Sequence, residues 1–205
     1  MQMPAWRILW LFGKLGKRMY VIHQQVVRIE DIFGDKDRIL DLGGGGAGVI
    51  GQLRGQQVTA VDIRQDELDE SPPGPIKVVA DARALPFPDG SFDAATAFFF
   101  LMYVPAADRA AVLKEAHRAL RPGGTLHVWD VVIPARGERT HKLFVVPVRA
   151  QLPDRAIKTA YGVPWKDREM SGDGIARMAR DVGFTVAAMA QERETFRLTL
   201  TRPTG

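Results

Sequence analysis

The run Ile39-Leu40-Asp41-Leu42 passes directly into Gly43-Gly44-Gly45-Gly46-Ala47-Gly48 and then into Val49-Ile50-Gly51. An apolar strand, a carboxylate and a glycine-rich turn that opens a helix are the beginning of an α/β unit. Glycines there let backbone and ligand approach closely, and amides at the start of a helix can face an anion. The same alternation continues downstream. Strands are expected at 38–42, 58–62, 76–80, 92–98, 125–131, 186–191 and 195–201, with helical apolar spacing over 106–120 and 172–182, the latter stopped by Gly183. Helices between strands imply a mainly parallel sheet. The last two strands are joined by too few residues for a crossover and must form an antiparallel hairpin.

Two stretches depart from the alternation. Ser71-Pro72-Pro73-Gly74-Pro75 leaves room for only a turn or two of helix after the strand that ends at Asp62. Between Pro134 and Met170 the pattern is strand (143–152), turn at Pro153-Asp154 and strand again (156–161), which reads as an inserted hairpin. Such a hairpin could close over a substrate or build a homodimer contact.

Residues 1–36 read as a separate amphipathic helical segment, with 37–205 as the main domain. Ile8, Leu11, Phe12, Leu15, Met19, Ile22, Val26 and Ile29 recur at helical spacing, and Arg7, Lys14, Lys17, Arg18, Gln24, Gln25 and Arg28 occupy the other face. With Trp6 and Trp10 at its flank, this segment is expected to act as a lid on the domain or as a helix lying on a membrane surface.

The 205 residues suit one domain. The absence of cysteine excludes disulfides, thiolate metal sites and thiol catalysis. No His/Asp/Glu grouping has metal-ligand spacing, so no metal is expected. The net charge of +4 is spread along the chain rather than gathered in a tract, which argues against nucleic acid as a partner. No apolar run approaches the length of a membrane span and no signal-peptide layout is visible, so a cytoplasmic protein is expected.

For the ligand, the glycine loop alone leaves two readings. Gly43, Gly45 and Gly48 satisfy a dinucleotide spacing, and Asp62 stands where an acid can take ribose hydroxyls, so NAD and other adenosine compounds both qualify. Asp41 beside the glycines suits a cationic ligand and would repel a diphosphate. Asp41, the run Val79-Ala80-Asp81-Ala82 followed by Leu85-Pro86-Phe87-Pro88-Asp89-Gly90-Ser91-Phe92-Asp93, and Arg118-Ala119-Leu120-Arg121-Pro122-Gly123-Gly124 together resemble the class I S-adenosylmethionine-dependent methyltransferases. The likeness is greatest to the small type related to ubiquinone and menaquinone methyltransferases, closely over 38–131 and more loosely to 201.

That resemblance implies a Rossmann-like class I methyltransferase sheet, mainly parallel with the C-terminal antiparallel hairpin. It implies S-adenosylmethionine as cofactor, S-adenosylhomocysteine as product, and a small-molecule or lipid-like acceptor. By position, it places Asp41, Gly43, Gly44 and Gly45 at the methionine end, Asp62 and Ile63 at the ribose, Asp81 and Ala82 at the adenine, and Phe99 on the reactive side. Ala47 departs from the family's third alternate glycine. Phe98-Phe99-Phe100-Leu101 replaces the tetrad of amide methyltransferases, so amide acceptors are excluded. No residue is assigned as catalyst, because an activated methyl needs orientation first; His117, His141, Tyr103, Asp130 and Tyr161 are conceivable bases. A module that holds the cofactor without chemistry and an NAD-dependent oxidoreductase are the alternatives.

Overall fold

The computed structural model describes residues 18–205. Its centre is a sheet of seven strands, numbered here in chain order after two short N-terminal ones. These are β3 (Ile39–Leu42), β4 (Val58–Asp62), β5 (Ile76–Val79), β6 (Phe92–Phe98), β7 (Leu120–Val131), β10 (Thr185–Glu192) and β11 (Thr195–Thr201). They lie in the order β10-β11-β7-β6-β3-β4-β5. β5, β4, β3, β6 and β7 run parallel, whereas β11 is antiparallel to both β7 and β10. The chain leaves β3 in one direction through β4 and β5, then returns to its other side for β6 and β7, so the topological switch lies between β3 and β6, where open α/β sheets place ligands.

Helix α1 (Val49–Arg54) and α2 (Gln65–Glu70) are six residues each, the second cut short by the proline run as its composition requires. The longer helices are α3 (Arg109–Ala119) and α4 (Gly172–Val182). The Ser171 hydroxyl caps α4 by accepting from the Gly174 amide, and Gly183 ends it at φ 113°. β7 begins five residues before the sequence pattern suggests. Phe92 pairs with Leu120 and Ala94 with Thr125, so residues 121–124 loop out of the ladder and resume it.

The second sheet holds the largest difference from the sequence reading. Within the described residues the N-terminal segment is not helical: β1 (Met19–Val21) and β2 (Gln25–Arg28) are extended, and the apolar positions 8–15 of the expected helix lie outside the described residues. β1 and β2 run parallel along one edge of β8 (Leu143–Gln151), whose other edge pairs antiparallel with β9 (Ala156–Pro164), the hairpin of the insertion. In β2 burial alternates with period two. Gln25, Val27 and Ile29 are buried while Val26 is half-exposed, the reverse of the helical stripe for residues 26 and 27. The β-branched residues satisfy either period over so short a run; the free edge of β8, more than a hundred residues away in sequence, supplies the backbone partners that decide for strand.

These strands sit on the main sheet. Phe33 meets His127 of β7 edge-on with ring centroids 5.9 Å apart, and Arg54 of α1 donates to Asp31 at 2.6 Å. Trp165, completely buried, packs on Tyr20 and Phe144, and its indole N–H donates to the Pro134 carbonyl at 2.7 Å. On the other side the buried Arg109 spends its guanidinium on the carbonyls of Leu101, Val104, Arg168 and Glu169, which pins the loop after β6 to the entry of α4. Among the described residues no helix is long and apolar enough to cross a membrane.

Candidate functional site

The carboxyl ends of β3, β4 and β5 bring together most of the residues singled out from the sequence. Gly43, at φ 71°, lies under the Phe100 ring so closely that a Cβ would overlap it. A Cβ on Gly45 would come within 2.7 Å of Glu67 Cβ and 3.0 Å of Asp62 Oδ2. The loop is folded back on its own domain. The amides of Gly43 and Gly44 both donate to the Val61 carbonyl, at 2.8 and 3.1 Å, Gly46 donates to Glu67 O at 2.7 Å and Gly48 to Gly45 O at 3.2 Å. A diphosphate would need such amides free, and α1 is too short to add much field. The dinucleotide reading loses its principal anchor here.

Asp41 is buried beneath the loop, and its Oδ1 accepts from Thr96 Oγ1 at 2.7 Å. A Cβ on Gly44 would stand 2.8 Å from Asp41 Oδ2, so the carboxyl supports the loop from below rather than facing the cleft. Burial pushes it up to about 7; the Thr96 hydroxyl opposes the shift and the nearby Asp62 adds to it. Asp62, at the end of β4, accepts the Arg64 amide at 3.0 Å and is raised mainly by burial, against backbone N–H groups of Arg64, Gly45 and Ile63 that hold it down. Ile63 projects outward, 63% exposed.

Asp62, Ile63, Asp81 and Ala82 line a cavity of about 290 Å³, closed by Val61, Phe100, Tyr103, Val104 and Val112. Its volume lies at the small end of the range for ligand pockets and suits one flat heterocycle with its sugar better than a whole dinucleotide. Asp81 is held by Arg83: the Arg83 amide donates to Oδ1 at 2.8 Å, and its guanidinium donates to both oxygens and across the cleft to Asp108 at 3.1 Å. That partner keeps Asp81 below the usual carboxylate range.

Phe99 does not reach this cleft. It is fully buried, stacked on Tyr161 of β9 at 4.9 Å with the rings 4° from parallel. Its φ of 49° is unusual for a bulky residue, and the turn it makes sends three consecutive rings three ways: Phe98 toward Trp129, Phe99 onto Tyr161, Phe100 over Gly43. Phe100 is thus the ring on the cleft side.

Two further groups were not signalled by any motif. Glu67, nearly buried in α2 beside Gly45, has an Oε2 without a hydrogen-bond partner, and burial raises its carboxyl. An orphaned acid of this kind fits a ligand carrying an ammonium or hydroxyl group, as does the close glycine cradle. Only the i, i+3 relation to Arg64, whose Nε lies 3.8 Å from Glu67 Oε1, was readable beforehand. Phe100 follows from the turn at Phe99, which no sequence rule predicts.

The conceivable bases separate by environment. His117 packs edge-on against Phe184 and is lowered by burial and Arg202. Tyr103 accepts the Gly162 amide at 3.2 Å; it and Tyr161 are held well above their ordinary range by burial, so neither hydroxyl is ionised at neutral pH. His141 stands edge-on to Tyr20. Asp130 is buried, takes the amides of Met102 and Val131, and is pushed up to about 7 by burial. Among the described residues no cluster could hold a metal ion.

Residues 40–128 match the model of a methyltransferase domain. A demethylmenaquinone methyltransferase of Geobacillus kaustophilus is 35% identical over 118 residues, 54% of this chain and 50% of that protein. The chain spans about half the length of the curated relatives it matches. A Methanosarcina mazei structure titled a SAM-dependent methyltransferase superposes with a TM-score of 0.62 at 20% identity, covering 84% of this chain and 95% of that one. The [4+2]-cyclase SpnF superposes at 0.57 and 18% identity over 96% of this chain and 81% of its own. Likenesses at that identity carry the fold: the strand order is that of the class I methyltransferase sheet, and within it residues 40–128, somewhat less than half of the chain, match a methyltransferase domain.

Proposed function

We propose that the protein transfers the methyl group of S-adenosylmethionine to a small-molecule or lipid-like acceptor. The observation that carries this is the 290 Å³ cleft with Asp62 and Asp81 at the ends of adjacent parallel strands and an apolar wall between them, beside a glycine loop whose amides are already paired. Asp62 would take the ribose hydroxyls, Ala82, Val104 and Phe100 would sandwich the adenine, and Asp81 would accept its amino group. Asp41 and Glu67 stand under and beside the loop where the methionine end would lie, and an ammonium or sulfonium arriving there would draw these raised carboxyls toward their ionised form. The bound cofactor supplies a methyl group already activated by its sulfonium. What remains for the chain is orientation, which can contribute about 7 to 11 kcal/mol, and none of its candidate bases is required for that. The quinone methyltransferases among the relatives support an apolar, ring-bearing acceptor.

Calorimetry with S-adenosylhomocysteine and with NAD tests the cofactor: micromolar binding of the first and none of the second is expected, and the reverse ranking overturns the reading. Incubation with methyl-labelled cofactor and a lipid-containing metabolite extract tests transfer. Tight binding with no labelled product across broad acceptor pools would instead support the cofactor-holding module.

A further inference from the structure

A second cavity, of about 230 Å³, lies on the other side of the switch point, at the carboxyl end of β7 and beneath β2. Phe99, Trp129 and Phe196 contribute its aromatic lining, Val27 adds an aliphatic wall, and Arg28, Glu30, Glu192, Arg197 and the buried Asp130 are its ionisable groups. The two cavities share the loop after β6, where the consecutive residues Phe99 and Phe100 line one cavity each.

Trp129 is 2% exposed, and its indole N–H has no hydrogen-bond partner. A buried donor left unpaired keeps its desolvation cost with no hydrogen bond in return, so a site that retains one gains when a ligand oxygen meets it. What covers the indole is movable: the Arg197 guanidinium lies 5.3 Å from the Trp129 ring centroid and is tied to Glu30 by a partly exposed pair at 3.4 Å. Such partly exposed pairs contribute little to stability and yield readily to an entering group.

We propose that this cavity is the acceptor pocket and that it takes a planar ring compound bearing a carbonyl or ether-type oxygen, read by the Trp129 N–H once Arg197 swings aside. The aromatic lining favours a flat body, and the unpaired donor demands an oxygen that accepts. The charges beside them, two Arg and two Glu, balance, and the fifth ionisable group, Asp130, is raised to about 7 by burial and already takes the amides of Met102 and Val131, so the lining sets no strong preference for an ionic ligand. Calling the ligand an acceptor rests on the methyltransferase reading; its binding here does not.

The probe is 1,4-naphthoquinone, which accepts hydrogen bonds without donating and finds no cysteine in this chain to alkylate. Diffraction from crystals of the S-adenosylhomocysteine complex soaked with it should show the ring in the cavity and one carbonyl within hydrogen-bond distance of the indole nitrogen. By calorimetry Trp129→Phe, which keeps an aromatic ring and removes the donor, should weaken quinone binding about five- to tenfold while leaving naphthalene and S-adenosylhomocysteine affinities unchanged. Quinone bound elsewhere, no quinone binding at millimolar concentration, or equal quinone affinity in both proteins overturns the proposal. Should Trp129→Phe fail to fold, the soaked wild-type crystals decide alone. Loss of S-adenosylhomocysteine binding by the wild type would sink the methyltransferase reading separately and leave the cavity result standing.

Discussion

The two sheets of this molecule bury aromatic and aliphatic side chains in the same way, yet they are assembled from different information. In the seven-stranded sheet β3, β4 and β5 pair as consecutive segments joined by short crossovers, and each glycine, proline or acid at a strand end has a local reason. In the four-stranded sheet Met19 pairs with Leu143 and Gln25 with Val148, so the partner of each N-terminal strand is far away in the chain. The first sheet carries the acids of the proposed cofactor cleft; β8 and β9 contain no acid at all. The difference separates support from chemistry: a change in the accessory sheet should unfold the protein without touching cofactor affinity, and a change in the glycine loop should do the opposite.

The largest effect should come from Trp165→Ala. The side chain is wholly buried between Tyr20 and Phe144, and its removal leaves the Pro134 carbonyl without its donor. A loss of about 3 to 5 kcal/mol is expected from the cavity alone. Denaturant titration should show it, and S-adenosylhomocysteine affinity measured where the variant remains folded should change by less than about twofold. A large loss of affinity would mean that the accessory sheet shapes the cofactor cleft.

Gly45→Ala should invert that pattern. Its Cβ would press on Glu67 and on the Asp62 carboxylate, and the Glu67 backbone carbon only 3.0 Å away cannot rotate aside. Overpacking of this kind costs about 1 to 3 kcal/mol. Because the displaced group is Asp62, the acid proposed to hold the ribose, affinity should fall about thirtyfold or more, with a melting temperature lowered by only a few degrees. An unchanged affinity would remove the loop from the site.

This contrast also explains what was legible beforehand. The strand-glycine-acid order made β3 to β7, Asp62 and the terminal hairpin readable, because local backbone requirements pick those residues out. Val26 and Val27 were not readable. In four residues a period of two and a period of 3.6 differ by a single position, and the edge of β8 made the choice. Phe99 was assigned to the cleft from its place after β6, but its left-handed backbone turns Phe100 there instead. Asp41 was expected at the mouth of the cleft; the pleat of β3 points it inward, under Gly44, where Thr96 holds it.

The two most deeply buried acids, Asp41 and Asp130, both lie on the seven-stranded sheet and give it a pH signature. Asp41 and Asp130 are both pushed up to about 7 by burial, above the ordinary value of about 3.8. Between these values the folded state holds protons that the unfolded chain has released, so stability falls as pH rises from about 4 to about 7, by about 1.4 kcal/mol per pH unit for each group, and levels off above. Below pH 4 the trend reverses, because Asp93, held far down by Arg38 and Arg121, loses its pairing when protonated. Urea unfolding of Asp41→Asn should show a pH 5 to 7 slope reduced by about one such increment. A slope unaltered by the substitution would mean that Asp41 is ionised in the fold throughout.

The smallest effect tests how the proposed adenine side of the cleft is prepared. Arg83 saturates both oxygens of Asp81, and a carboxylate offers about four acceptor positions, so an arriving amino group must displace one of the arginine's bonds. The Arg83 and Asp81 side chains are each a third or more exposed, and such pairs are worth no more than about 1 kcal/mol. Removing the arginine side chain therefore frees Asp81 at little cost to the fold, whereas removing Asp81 deletes the acceptor itself. Arg83→Ala should bind S-adenosylhomocysteine about two- to threefold more tightly, with the gain shrinking as salt weakens the pair in the parent protein. Asp81→Ala should bind about tenfold more weakly. If both substitutions weaken binding equally, Arg83 does not compete with the ligand but orients Asp81 toward it, and the guanidinium becomes part of the cofactor site in its own right.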